Sequence, residues 1–171
     1  EPQARGLAVL FAEAGYVTAR DALGNALVAY LEDPARARWL RRHRARRASV
    51  ARFVEESLRY DPPVVQFART ATRDAALRGS AVCAGDRVLV FFAAANRDPS
   101  VYSQPDRFDP TRTPSAHLAL GAGPHRCPGA SLARAQLRAV FDALAHEAPS
   151  LQHVAPPTRR ASNYLAGYER I

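Results

Sequence analysis

The stretch Leu120-Gly121-Ala122-Gly123-Pro124-His125-Arg126-Cys127-Pro128-Gly129 decides how this sequence is read. Directly after it, apolar residues recur at helical steps through Leu132, Leu137, Val140, Phe141 and Leu144, which predicts a helix over 130–146. Cys127 then stands at the mouth of that helix, where the positive end of the helix dipole favours a thiolate over a thiol. Glycines on either side let backbone N–H groups and a large planar ligand come close to the sulfur. His125, two places earlier, is suited to meet an acidic group on such a ligand. The plainer alternative is a glycine-rich loop with one buried cysteine. The combined spacing GxGxHxCxG ahead of a helix argues against it. Zinc is poorly supported, because Cys83 is the sole other cysteine and lies far from ligand spacing.

Working outward, residues 5–31 read as one long helix, with a stripe of Leu7, Leu10, Phe11, Ala14, Val17 and Thr18 continued by Leu23, Leu27 and Leu31. Pro34 opens a short second helix through Trp39 and Leu40. A third, over 50–60, stops at Asp61-Pro62-Pro63, since a residue before proline avoids helical dihedrals. Short strands are expected over 66–72, 81–83 and 87–92, with Gly79 and Gly85 as turns. Residues 93–129 form a long Pro-, Asp-, Gly- and Arg-rich stretch, and irregular segments of that length in a domain tend to be functional or disordered. Pro149 is expected to close the last helix, with tail strands over 151–154 and 163–170.

A chain of 171 residues with 47% hydrophobic and 23% charged residues suits a globular domain. No apolar run approaches the ~18 residues of a membrane-spanning helix, and residues 1–30 lack a signal-peptide pattern, so no membrane partner and a cytoplasmic location are expected. The net charge of +8 is concentrated in Arg36–Arg52. That run lacks the interleaved aromatics of a base-stacking surface and reads as a solvated helix face rather than a nucleic-acid site. The sequence holds no Met and opens Glu1-Pro2, so a fragment of a longer protein is expected.

Several of these stretches together resemble the cytochrome P-450 superfamily of bacterial soluble type, over nearly the whole chain. The family's pattern FGxGxHxCxG, followed by xxLAR, is matched by Leu120–Gly129 and Ala130-Ser131-Leu132-Ala133-Arg134, with Leu120 replacing the usual Phe. The resemblance implies that Cys127 is the axial ligand of a heme b iron and that His125 bonds a propionate. It places Leu120, Gly121, Gly123 and Gly129 around the heme. A thiolate ligand pushes electron density onto iron and favours O–O cleavage. Arg69, in Phe67-Ala68-Arg69-Thr70, resembles the strand arginine that pairs with a propionate. Glu56-Ser57-Leu58-Arg59 resembles the family's ExxR, and Arg107 in Pro105-Asp106-Arg107-Phe108 the third member of a buried Glu-Arg-Arg network. Cys83 reads as a packed strand thiol. Ala14-Gly15-Tyr16-Val17-Thr18 resembles the oxygen-binding helix motif (A/G)Gx(D/E)T, which gives Gly15 and Thr18 catalytic positions and puts Val17 where the family carries an acid.

The fold so implied is mainly α with small β-sheets, the C-terminal half of the cytochrome P-450 fold: a long oxygen-binding helix, the ExxR helix, β hairpins and the cysteine loop with its following helix. Residues 1–171 would be the heme-thiolate part of a single domain whose N-terminal half lies elsewhere. The implied activity is a monooxygenase acting on a small, largely apolar substrate, with electrons from a ferredoxin and ferredoxin reductase-type donor. Pocket-lining segments would be Phe11–Thr18, Val64–Phe67 and Tyr164–Leu165. Arg- and Ala-rich usage associates the sequence with bacterial specialised metabolism. Val17 leaves one alternative, a catalytically atypical or inactive binding and recruitment protein of the same fold.

Overall fold

The computed structural model describes residues 1–113, 116–147 and 151–171. Among the described residues five α-helices carry the architecture: α1 (Pro2–Glu32), α2 (Pro34–Arg42), α3 (Arg47–Tyr60), the short α4 (Phe92–Ala95) and α5 (Ala130–Glu147). Six short strands make three antiparallel pairs among the described residues. These are β1 (Gln66–Thr70) with β4 (Arg87–Phe91), β2 (Ala75–Leu77) with β3 (Ser80–Val82), and β5 (Thr158–Arg159) with β6 (Tyr168–Arg170). The molecule is therefore mainly α with small sheets, as the sequence implied.

Local chemistry sets the breaks. Asp33 is extended and its carboxylate accepts the Ala35 N–H at 2.8 Å, capping α2 with Pro34 at its first position. Between β2 and β3, Arg78 and Gly79 both take positive φ (48° and 86°), the geometry of a tight hairpin turn. α1, α2, α3 and α5 meet around Phe53, whose ring lies 5.1 Å from both Phe108 and Phe141. Tyr30, Leu40, Leu58 and Leu137 fill the space around these rings. Fully burying such a side chain contributes about 1.5–3 kcal/mol.

That packing engages only the second half of α1. Its buried residues run from Asp21 to Tyr30, while Leu7, Leu10 and Phe11 are each more than half exposed. The apolar stripe read over 5–31 is continuous in sequence and divided in structure.

Within the 93–129 stretch, residues 96–112 owe their order to a buried ion pair. Arg59 and Glu56 are 1% and 3% exposed and meet as a two-pronged pair, both N···O distances 2.8 Å. The remaining N–H groups of Arg59 go to the carbonyls of Asn96 (2.8 Å), Pro105 (2.9 Å) and Arg107 (3.2 Å), so all five donors are used. Glu56 Oε1 also accepts the Asp109 N–H at 2.7 Å. The third arginine corrects the sequence expectation. Arg107 points outward to Gln104, and Arg112 approaches Glu56 at 3.5 Å while donating to the carbonyls of Ser103, Gln104 and Arg107. The loop turns back after Phe108, whose ring takes the inward place, and this carries Arg112 rather than Arg107 over the carboxylate.

Four further expectations are corrected. The strand expected over 151–154 does not form, and the tail strand over 163–170 shrinks to β6, with a separate bridge between Val64 and Leu165. β2 and α4 were not foreseen. α3 starts at Arg47, earlier than read. Cys83 is exposed rather than packed, because it lies in the turn after β3 where its backbone N–H donates to Asp86 and neither hairpin covers it. The expected stop at Pro149 lies outside the described residues.

Candidate functional site

The cysteine loop is folded by its own backbone. Gly121 N–H donates to the Leu118 carbonyl at 2.9 Å, Arg126 N–H to Gly123 at 3.1 Å, and Cys127 N–H to Leu120 at 2.8 Å. Gly121 and Gly123 hold φ of 67° and 66°, a left-handed conformation that glycine adopts at little cost. A Cβ on Gly121 would also sit 3.2 Å from the His125 carbonyl oxygen. The loop thus delivers Cys127, as a free half-buried thiol, just ahead of α5.

Above it opens a cavity of about 580 Å³, walled mainly by apolar side chains from α1, the end of α3, β1 and the cysteine loop. Of the residues singled out in the sequence, Gly15, Thr18, Arg69, Leu120, Gly121, His125, Cys127 and Gly129 all line it. Gly123 does not; it serves the turn. From the expected pocket segments Ala14, Gly15, Thr18, Val64 and Phe67 line the cavity, whereas Phe11, Val17, Tyr164 and Leu165 do not. Gly15 leaves open space, since a Cβ there would meet nothing within 4 Å. A Cβ on Gly129 would lie 3.8 Å from the Cys127 sulfur. The Thr18 hydroxyl donates to the Ala14 carbonyl at 2.6 Å, the habit of a helical Thr bonding its own backbone.

Arg69 and His125 are exposed at the cavity margin, and Arg69 bonds only its neighbour's carbonyl, Ala68 at 2.9 Å, among the described residues. One thiol, an apolar slot and two basic side chains at its rim form a donor set that fits a flat apolar ligand carrying a metal at its centre and acids at its edge. The residues present therefore fit heme. No cluster of three or more His, Cys, Asp or Glu side chains offers another metal site among the described residues.

A second polar group stands behind the cysteine loop. Glu55 receives Arg134 from α5 at 2.7 and 2.8 Å and His117 Nε2 at 3.1 Å, with Arg138 at 3.7 Å. Burial alone would raise the Glu55 pKa, but the His117 and Arg134 bonds outweigh it and bring the carboxyl down from 4.5 to about 2. Arg134 is held charged chiefly by the bond to Glu55, with a smaller attraction from Cys127. Sequence reading missed Glu55, His117 and Arg112. The signals were the second glutamate beside Glu56 and the arginine that closes the xxLAR pattern.

Comparisons with known proteins agree with this geometry. The family model for cytochrome P-450, whose members bind heme b through a cysteine thiolate, matches residues 41–146. Cytochrome P-450-terp of a Pseudomonas species is 34% identical over 163 residues, covering 95% of this chain and 37% of that protein. The crystal structure of P450BioI in complex with an acyl carrier protein ligated to hexadec-9Z-enoic acid superposes with a TM-score of 0.87 at 34% identity, over 94% of this chain and 41% of that one. CYP109E1 from Bacillus megaterium in complex with corticosterone gives a TM-score of 0.91 at 27% identity, over 97% and 45%. The chain spans less than half the length of each of these relatives. The matched range 41–146 contains both the buried Glu56–Arg59 pair and the cysteine loop, and the chain belongs to the cytochrome P-450 family.

Proposed function

We propose that Cys127 is the axial thiolate ligand of a heme b iron, in the C-terminal, heme-thiolate part of a single cytochrome P-450 domain that acts as a monooxygenase. The observation that carries this reading is the convergence of Cys127, His125, Arg69, Gly15 and Thr18, from separate segments, on one apolar cavity. Arg69 and His125 would hold the propionates, the arginine fork suiting a carboxylate bidentately. Gly121, Gly129 and Leu120 would let the macrocycle lie close over the sulfur. When bound, the heme supplies dioxygen activation.

The chain's own residues determine how protons reach that space. The Thr18 hydroxyl donates its hydrogen bond to the Ala14 carbonyl, leaving its lone pairs free to accept; Val17 has no proton to relay. Water, a group on the substrate, or Thr18 after rotation about χ1 must therefore supply protons. Leu10, Ala14, Val64 and Phe67 favour a small, largely apolar substrate, in keeping with the fatty acyl chain and the steroid held by the two structural relatives. Electrons would come from a ferredoxin and ferredoxin reductase-type donor, whose acidic surface suits a chain of net charge +8. The remaining N-terminal part of the domain would cover Leu7, Leu10 and Phe11. A cytoplasmic site of action in bacterial specialised metabolism completes the proposal. Val17 is the main support for the recruitment alternative.

The test is Cys127→Ser in the complete, heme-loaded protein. The thiolate-type Soret band of the reduced, CO-treated protein is expected to vanish; an unchanged band and unchanged heme content would overturn the assignment.

A further inference from the structure

The geometry points to a clamp in which Glu55, His117 and Arg134 fasten both limbs of the cysteine loop to one carboxylate on α3 and thereby set the orientation of the Cys127 sulfur. This rests on the heme-thiolate reading of Cys127 and assigns these three as positioning residues.

The entering limb is held through His117, whose side chain is 1% exposed. Its Nδ1 accepts the Ala119 N–H at 3.2 Å, which leaves the ring proton on Nε2, aimed at Glu55 Oε2 at 3.1 Å. Next in the chain, Leu118 N–H donates to the Asn96 side chain at 2.7 Å, and the Leu120 carbonyl accepts the Cys127 N–H at 2.8 Å. The ring of His117 and the sulfur-bearing residue are thus joined through a short stretch of backbone held at Leu118, Ala119 and Leu120.

The leaving limb is held through Arg134. The Cys127 carbonyl accepts the Ala130 N–H at 3.3 Å, the Gly129 carbonyl accepts the Ala133 N–H at 2.9 Å, and the next residue is Arg134. Its guanidinium grips both oxygens of Glu55 at 2.7 and 2.8 Å. A fork-shaped bond of this kind fixes direction as well as distance, so α5 is locked in rotation against α3. One carboxylate therefore bears on both sides of the ligand. The neighbouring Glu56 pair acts elsewhere, gathering the 96–112 loop. Removing a group that orients a metal ligand weakens metal holding even where the ligand itself is intact.

The test uses the complete heme-loaded protein carrying Glu55→Gln or Arg134→Lys, with Arg52→Gln, an exposed α3 position, as control. Glu55→Gln keeps shape and loses charge; Arg134→Lys keeps charge and loses the fork. The readouts are the rate at which the thiolate-type ferrous–CO band converts to the blue-shifted form, and heme transfer to an apo-globin acceptor. Both variants are expected to accelerate these by about 10- to 100-fold, the range for residues standing behind a metal ligand, with Arg52→Gln unchanged. The double variant should be no worse than the more severe single one. If Glu55→Gln fails to accumulate folded, Arg134→Lys decides. Unchanged band conversion and heme transfer in a folded variant overturn the clamp and leave the Cys127 reading standing. A parent protein with no thiolate-type band overturns both.

Discussion

Arg112 and Arg107 lie five places apart, and substitutions there separate two accounts of the same network. Arg112 donates to three carbonyls and approaches Glu56, so Arg112→Ala should cost about 2–3 kcal/mol. Arg107 contributes its backbone oxygen and an exposed side chain, so Arg107→Ala should stay within about 0.5 kcal/mol. Denaturant titration of the two variants checks the order; equal losses would restore Arg107 to the network. Glu56→Gln, which strands a buried guanidinium, should cost about 3–5 kcal/mol in the same assay. Glu55 behaves differently because its carboxyl is depressed, from 4.5 to about 2. A lowered folded-state pKa stabilises the protein above the unfolded value and stops doing so as the pH falls through the folded one. The stability gap between the parent and Glu55→Gln is therefore expected to be constant above pH 4.5 and to close towards pH 2. At this scale Cys127, His125 and Arg69 were legible because residue type and spacing carry their chemistry. Arg112 and His117 were not, since only the folded path of the loop brings them to their glutamates.

Among the elements, α1 shows how function departs from helix propensity. Gly15 sits mid-helix, where a Cβ would meet nothing, so Gly15→Ala should raise stability by about 0.5–1 kcal/mol while narrowing the cavity. A thermal melt with a higher Tm and weaker binding of an apolar ligand is the expected pair of results. A glycine retained against its own helix is explained by the space it leaves. The long helices were readable from periodicity and proline breaks. β2 was not, because three exposed residues have no alternation to detect. The 151–154 segment shows the opposite failure: Leu151 and Val154 give it strand-like composition, but no strand pairs with it among the described residues.

Taken whole, the molecule has a well-packed helical centre and an apolar arm. Leu7, Val9, Leu10, Phe11 and Tyr16 are 54–67% exposed along the first half of α1. Contiguous apolar surface of this kind marks a site of further association. The 171-residue chain alone is expected to bind a hydrophobic dye such as ANS strongly, and Leu10→Glu with Phe11→Glu should lower that signal; no change would place the dye elsewhere. Sequence periodicity gave this half of α1 the same apolar stripe as the rest, and only the structure separated the packed half from the bare one. The centre, by contrast, is self-sufficient in an unusual sense. Around Arg59 the carbonyl oxygens of Asn96, Pro105 and Arg107 turn inward on a positive charge, as they do in loops that wrap a calcium ion. Here the ion is tethered to the polypeptide. It cannot be extracted by a chelator or diluted away, and being buried it is little screened by salt, so this irregular segment should keep its shape under conditions that would empty an ordinary ion-binding loop.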